Sequence, residues 1–86
     1  MYRIFTSNNK VKKKLSRYIA ERKDIPSKLD RLKTNPRNEC GAHPLRGKLK
    51  GKWACWLSSN IRMIYIIDDK NQIIFTEDVG THKIYQ

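Results

Sequence analysis

The chain has 86 residues, of which 38% are apolar, enough to core one small domain and too few for a second. The longest unbroken apolar run, Met63-Ile64-Tyr65-Ile66-Ile67, is five residues, against the ~20 that a bilayer-crossing helix needs. The N-terminus MYRIFTSNNK holds no apolar stretch for a secretion signal, so the sequence predicts a soluble, cytoplasmic protein without a membrane partner. There are 19 Lys and Arg against 8 Asp and Glu, a formal net charge of +11. The imbalance is concentrated: residues 1–52 carry 16 basic and 4 acidic groups, and residues 53–86 carry 3 and 4. Solubility of a small domain asks for a net charge of only ~2–8. The excess therefore points to a polyanionic partner (RNA, DNA or an acidic protein segment) drawn in by field and counterion release.

In chain order, Met1 to Thr6 is rich in aromatic and branched residues and predicts a short strand. Ser7-Asn8-Asn9 supplies cap chemistry for a helix in which Val11, Leu15, Tyr18 and Ile19 form one apolar stripe. Lys10, Lys12, Lys13, Lys14 and Arg17 take the rest of its circumference. Asp24-Ile25-Pro26 predicts the capped start of a second helix with Leu29 and Leu32 inward, ended by Asn35-Pro36. Residues 36–52 are punctuated by Pro36, Gly41, Pro44, Gly47 and Gly51 and predict a loop. Three strands follow, over 53–57, 61–67 and 72–79, joined by Ser58-Ser59-Asn60 and Asp68-Asp69-Lys70-Asn71. Turns this short force antiparallel pairing. The expected fold is one α+β domain over 1–86, in β-α-α-β-β-β order, with an antiparallel sheet and both helices on one face.

Two cysteines, Cys40 and Cys55, make no disulfide framework. Cys40 and His43 have metal-ligand spacing, with Cys55 and His82 available to complete a set, but Cys55 lacks a neighbouring ligand two to four positions away. Buried small hydrophobes are the expected role of both thiols, with no metal and no cofactor.

Arg46, Lys48, Lys50 and Lys52 recur at every second position. If the segment is extended, all four point one way and form a rail for a phosphate backbone. His43 lies before the first meander strand and His82 after the last. Two imidazoles suit metal-free RNA cleavage, in which one group takes the ribose 2′-hydroxyl proton and another protonates the leaving 5′-oxygen. Arg62, near the start of the middle strand, is the candidate for the charge that builds on the phosphate oxygens. Tyr85 can stack on a base or donate a hydrogen bond. Trp53 and Trp56 sit three apart on one strand and so face opposite sides, which leaves Trp56 as a candidate base-stacking residue beside its alternative role in the core.

Together, His43-Pro44-Leu45-Arg46-Gly47, Leu49-Lys50-Gly51-Lys52-Trp53, Ile61-Arg62-Met63-Ile64-Tyr65 and Val79-Gly80-Thr81-His82 resemble the RelE/YafQ-type toxins of toxin–antitoxin pairs. The resemblance implies a ribosome-dependent endoribonuclease that cuts mRNA in the ribosomal A site. It also implies a cognate antitoxin that silences the toxin and through which the complex meets operator DNA. On that resemblance, His43 and His82 are similar to the proton-transfer histidines of the YafQ-like branch. Arg62 is similar to the phosphate-facing arginine, Tyr85 to the C-terminal aromatic, and the loop lysines to the RNA-contacting surface. This chain departs from the pattern at Trp56, where YafQ-like toxins carry a further histidine, and at Asn60, where they often carry an aspartate. The spacing from His82 to the closing aromatic is one residue shorter than in YafQ. ParE-type toxins share the architecture and act on DNA gyrase, and a basic nucleic-acid-binding module without catalysis is a further reading.

Overall fold

Local chemistry sets the first elements. β1 (Arg3–Thr6) leads through Ser7 into α1 (Asn9–Glu21), whose first turn is closed by the Asn8 side chain accepting from the Val11 amide at 2.9 Å. α2 (Ile25–Thr34) carries Pro26 in its first turn, where the missing N–H costs nothing. Asp24 does not cap this helix as its position predicts; its carboxylate instead accepts from the Ser58 hydroxyl at 3.1 Å. The remaining strands are β2 (His43–Pro44), β3 (Trp53–Ser58), β4 (Ile61–Asp68) and β5 (Ile73–Gly80). The structure, a computed structural model, describes residues 1–85 and, among these, every side chain but those of His82 and Tyr85.

The strands form one sheet in the order β1-β5-β4-β3-β2. The meander β3-β4-β5 is antiparallel, and β2 adds to its outer edge with His43 opposite Ala54. The expected α+β class and helix placement hold, and the sheet is mixed because β1 runs parallel to β5, Arg3 to Thr6 lying opposite Ile73 to Thr76. The two intervening helices make that parallel crossover possible, since a tight turn cannot.

Both helices pack on one face of the sheet. Leu15, Ile25, Leu29 and Leu32 meet Cys55, Leu57, Met63, Tyr65, Ile74 and Val79 in a single buried cluster. Within it the Tyr65 hydroxyl donates to the Pro36 carbonyl at 2.6 Å, satisfying the one polar atom of that ring. The opposite face is open: Phe5, Phe75 and Ile66 lie side by side across β1, β5 and β4, with Phe5 43% and Ile66 37% exposed. Among the described residues, no helix is long and apolar enough to cross a membrane.

Candidate functional site

A bulge at the end of the β3-β4 hairpin creates the site. Ser58 lies opposite Ile61, yet the next pair is Trp56 with Arg62, so Leu57 is the extra residue. Ser58 is tied down at this point, donating to Asp24 at 3.1 Å and accepting from Arg22 at 3.5 Å, which fastens the bulge to the α1-α2 junction. The shift sets Arg62 directly across from Trp56, and its guanidinium carbon stands 3.9 Å from the indole centroid. That is a close cation–π contact, which holds the guanidinium plane on the ring.

The indole is held from a second direction. The Trp56 amide donates to the Cys40 carbonyl at 2.8 Å. Gly41, at φ +65°, passes so near that a Cβ there would lie 3.1 Å from Trp56 Cδ1. Only glycine gives both that backbone angle and that approach. Trp56, Arg62, Ser59, Asn60 and Thr81 line a shallow depression of about 370 Å³ at this end of the sheet.

The sequence-predicted residues fall around it unevenly. His43 is exposed, and its Nδ1 lies 3.1 Å from the Gly41 carbonyl. In a neutral ring that contact puts the proton on Nδ1 and leaves Nε2 as the acceptor. Arg62 pairs with Gly80 on its other side, so Trp56, Arg62 and Gly80 form one cross-strand row. His43 faces Ala54, two residues from that row, and the His82 backbone is two residues beyond its Gly80 end. The backbones of His43 on β2, Arg62 on β4 and His82 just past β5 thus come to one end of the sheet. Tyr85 closes the 3₁₀ turn His82–Tyr85; its side chain and that of His82 lie outside the described residues. This turn folds back on the sheet: a Cβ on Gly80 would stand 3.0 Å from Ile84 Cγ2, with Lys14 Nζ at 3.8 Å and Tyr18 Oη at 3.9 Å.

The basic segment is not an extended rail. Gly47 at φ +66° and Gly51 at φ +94° turn it, Gly47–Leu49 forms a 3₁₀ turn, and the Leu45 amide donates to the Lys52 carbonyl at 2.9 Å. The result is a closed loop carrying Arg46, Lys48 and Lys50 exposed. Lys52 is drawn back to Glu77 at 3.1 Å. Cys40 and Cys55 are buried, and burial pushes both thiols up, away from the reactive thiolate. Among the described residues, no three His, Cys, Asp or Glu side chains gather so as to hold a metal ion.

Sequence reasoning missed Gly41, Ser59 and Thr81. Gly41 and the Ser59-Asn60 turn carried the only signal, as glycine and turn-forming polar residues flanking a tryptophan.

No protein-family model and no curated protein matches the sequence. Among solved structures, the chain is similar to the conserved hypothetical protein HP0892 of Helicobacter pylori, at 26% identity and a TM-score of 0.66, with 100% of each chain covered. It is similar to YafQ of E. coli at 21% identity and a TM-score of 0.64, covering 99% of this chain and 98% of that one. It is also similar to a chain of the toxin–antitoxin complex RelBE2 of Mycobacterium tuberculosis, at 20% identity and a TM-score of 0.71, over 94% of this chain and 98% of that one. The chain has the RelE-type toxin fold.

Proposed function

We propose that this chain is the toxin of a toxin–antitoxin pair and an endoribonuclease that cuts mRNA in the ribosomal A site. The observation that carries the reading is the Arg62 guanidinium, held on Trp56 beside a depression lined from β3, the β3-β4 turn, β4 and the residue after β5. The fold shared with YafQ and with the toxin–antitoxin complex RelBE2 supports it.

In the proposed reaction the ribose 2′-oxygen attacks the adjacent phosphorus in line, and the bond to the 5′-oxygen breaks. One of His43 and His82 takes the 2′-hydroxyl proton and the other delivers a proton to the leaving 5′-oxygen. The Nε2 of His43, left as an acceptor by the Gly41 contact, suits the base. Arg62 donates its N–H edge to the crowded phosphate oxygens, and Arg46 reinforces it. The product carries a 2′,3′-cyclic phosphate or its hydrolysed form. Tyr85 serves as stacking or hydrogen-bonding partner, and Lys48 and Lys50 steer the RNA backbone. No step draws on a metal or cofactor.

The partner that silences it is an antitoxin segment of acidic and amphipathic character. It would neutralise the +11 charge and cover the open stripe of Phe5, Phe75 and Ile66. Operator DNA is met only through that complex.

The test is to express the chain alone in cells and map the 5′ ends of mRNA, with translation running and with ribosomes blocked. Cuts within translated codons that vanish with the block are expected. A similar fold is also found in a YoeB/ParE toxin of Agrobacterium tumefaciens, at 16% identity and a TM-score of 0.73 over 95% of this chain and 99% of that one. Intact mRNA together with gyrase-linked DNA damage would move the assignment to that ParE side, and intact mRNA without such damage to a non-catalytic nucleic-acid-binding module.

A further inference from the structure

Resting on the reading of this chain as an RNA-cutting toxin, we infer that the Lys52–Glu77 ion pair is an autoinhibitory clasp. Glu77 stands in for an RNA phosphate, and Lys52 joins the RNA contacts only when a phosphate displaces that carboxylate. Trp53 packs against the helix-side cluster, so alternation turns the preceding Lys52 to the open face of the sheet. On β5, Thr76 lies opposite Tyr65 and Asp78 opposite Ile64, so Glu77 is the extra residue of a bulge. Both neighbours of Glu77 reach the helix side: the Thr76 hydroxyl donates to Met63 Sδ at 3.4 Å, and Asp78 accepts from Lys14 of α1 at 2.8 Å. The bulge thereby leaves Glu77 on the open face. Because β4 lies between β3 and β5, the 3.1 Å contact of Lys52 Nζ with Glu77 Oε1 bridges that strand. The cross-strand pair Ala54–Ile64 lies along the crossing. These two side chains are 0% and 3% exposed yet stand outside the helix-side cluster, the burial expected beside a lysine stem laid across the sheet.

The clasp contributes little to the fold, since a partly exposed ion pair is worth little to stability. Its effect falls on charge. Arg46, Lys48 and Lys50 of the same loop are exposed, while Lys52 is withheld from solvent by Glu77. A phosphodiester carries the same charge as a carboxylate and offers the same kind of acceptor oxygens. Exchange of one for the other therefore keeps Lys52 paired and leaves Glu77 as a bare anion beside the RNA. That penalty sets a threshold. A small anion does not overcome it, whereas a strand already held by the loop cations presents its next phosphate at high effective concentration. His43 lies opposite Ala54, so the crossing shares a row with one proposed proton carrier, and opening the clasp admits RNA to that row.

The test is a binding titration of the chain with a short single-stranded RNA whose 2′-oxygens are methylated, so that it is not cut. Glu77→Gln should tighten binding about fivefold, the upper worth of an exposed ion pair. It should also steepen the fall of affinity with salt, because no bare carboxylate takes up a cation as RNA binds. Lys52→Gln should weaken binding less than about twofold when made alone, and about fivefold in the Glu77→Gln background, the non-additivity of a directly coupled pair. Glu77→Asp keeps the charge, shortens the reach by one methylene and should give part of the same gain. Glu21→Gln, the same change in net charge at the exposed end of α1, should leave affinity unchanged. Equal tightening by Glu77→Gln with and without Lys52 overturns the clasp, as does the absence of tightening in both Glu77 variants, with circular dichroism identifying which of them are natively folded. Because the RNA is uncut and no ribosome is present, two failures stay separate. A chain that cuts mRNA without this coupling refutes the clasp alone, and a chain that shows the coupling but cuts nothing refutes the nuclease alone.

Discussion

Two arginines stack on two tryptophans at opposite ends of the β3-β4 pair, and their surroundings differ. At one end Arg37 lies 5.7 Å from the Trp53 ring centroid and donates two hydrogen bonds to Asp69, at 2.9 and 2.8 Å. The Tyr2 hydroxyl donates to the same carboxylate at 2.5 Å. This cluster braces the loop after α2 against the β4-β5 turn, and its charges answer one another. At the other end Arg62 lies 3.9 Å from the Trp56 centroid and borders a depression lined otherwise by neutral polar groups. The same pair of residue types therefore forms part of a strut at one end and part of the wall of a hollow at the other.

The contrast breaks most sharply at Arg62. Arg62→Ala should lower RNA cleavage about 10²–10³-fold, the usual cost of one transition-state donor, with little change in thermal midpoint. Arg37→Ala should do the reverse, lowering the midpoint and leaving cleavage alone; both are read by a single-turnover assay beside a melting curve. Gly80→Ala comes next. Its Cβ would stand 3.0 Å from Ile84 Cγ2, so Ile84 must give by a few tenths of an ångström, and cleavage should fall by less than in Arg62→Ala as the turn bearing His82 adjusts; circular dichroism should stay native. Removing Lys48 or Lys50, both exposed on the loop, should weaken RNA binding uniformly across sequences. The slope of log affinity against log salt should fall by about one for each.

The smallest effect belongs to the strut and appears in acid. The Arg37 hydrogen bonds, followed by that of Tyr2, hold the Asp69 carboxyl down at about 2, below the ~3.9 of an unfolded chain. A carboxyl depressed on folding adds stability that is complete above its unfolded value and is lost as pH falls through its folded one. Between about pH 4 and pH 2, the urea midpoint should therefore drop more steeply in the unaltered chain than in Asp69→Asn.

Much of this architecture was legible because period and punctuation agree. The Val11-Leu15-Tyr18-Ile19 stripe, the Pro26 helix start and the short turns of the meander each pointed to the element observed, although Ile19, at the edge of the stripe, is exposed. What escaped has local causes. A two-residue Ser59-Asn60 turn in strict register sets Leu57 against Arg62, and only the bulge brings Trp56 there; a bulge leaves no mark in an alternation pattern. The rail of lysines failed because alternation assumes extended backbone, and Gly47 and Gly51 take positive φ instead. The parallel pairing of β1 with β5 depends on where two helices return the chain, a tertiary matter that no window of sequence contains.

The most direct measurement uses purified chain, programmed ribosomes and end-labelled mRNA, in the presence of a metal chelator. A cut at the A-site codon that leaves a 2′,3′-cyclic phosphate, and that disappears in Arg62→Ala, is what a guanidinium poised over the scissile phosphate requires. Intact message in the first reaction, or an equal cut by the variant, would contradict it.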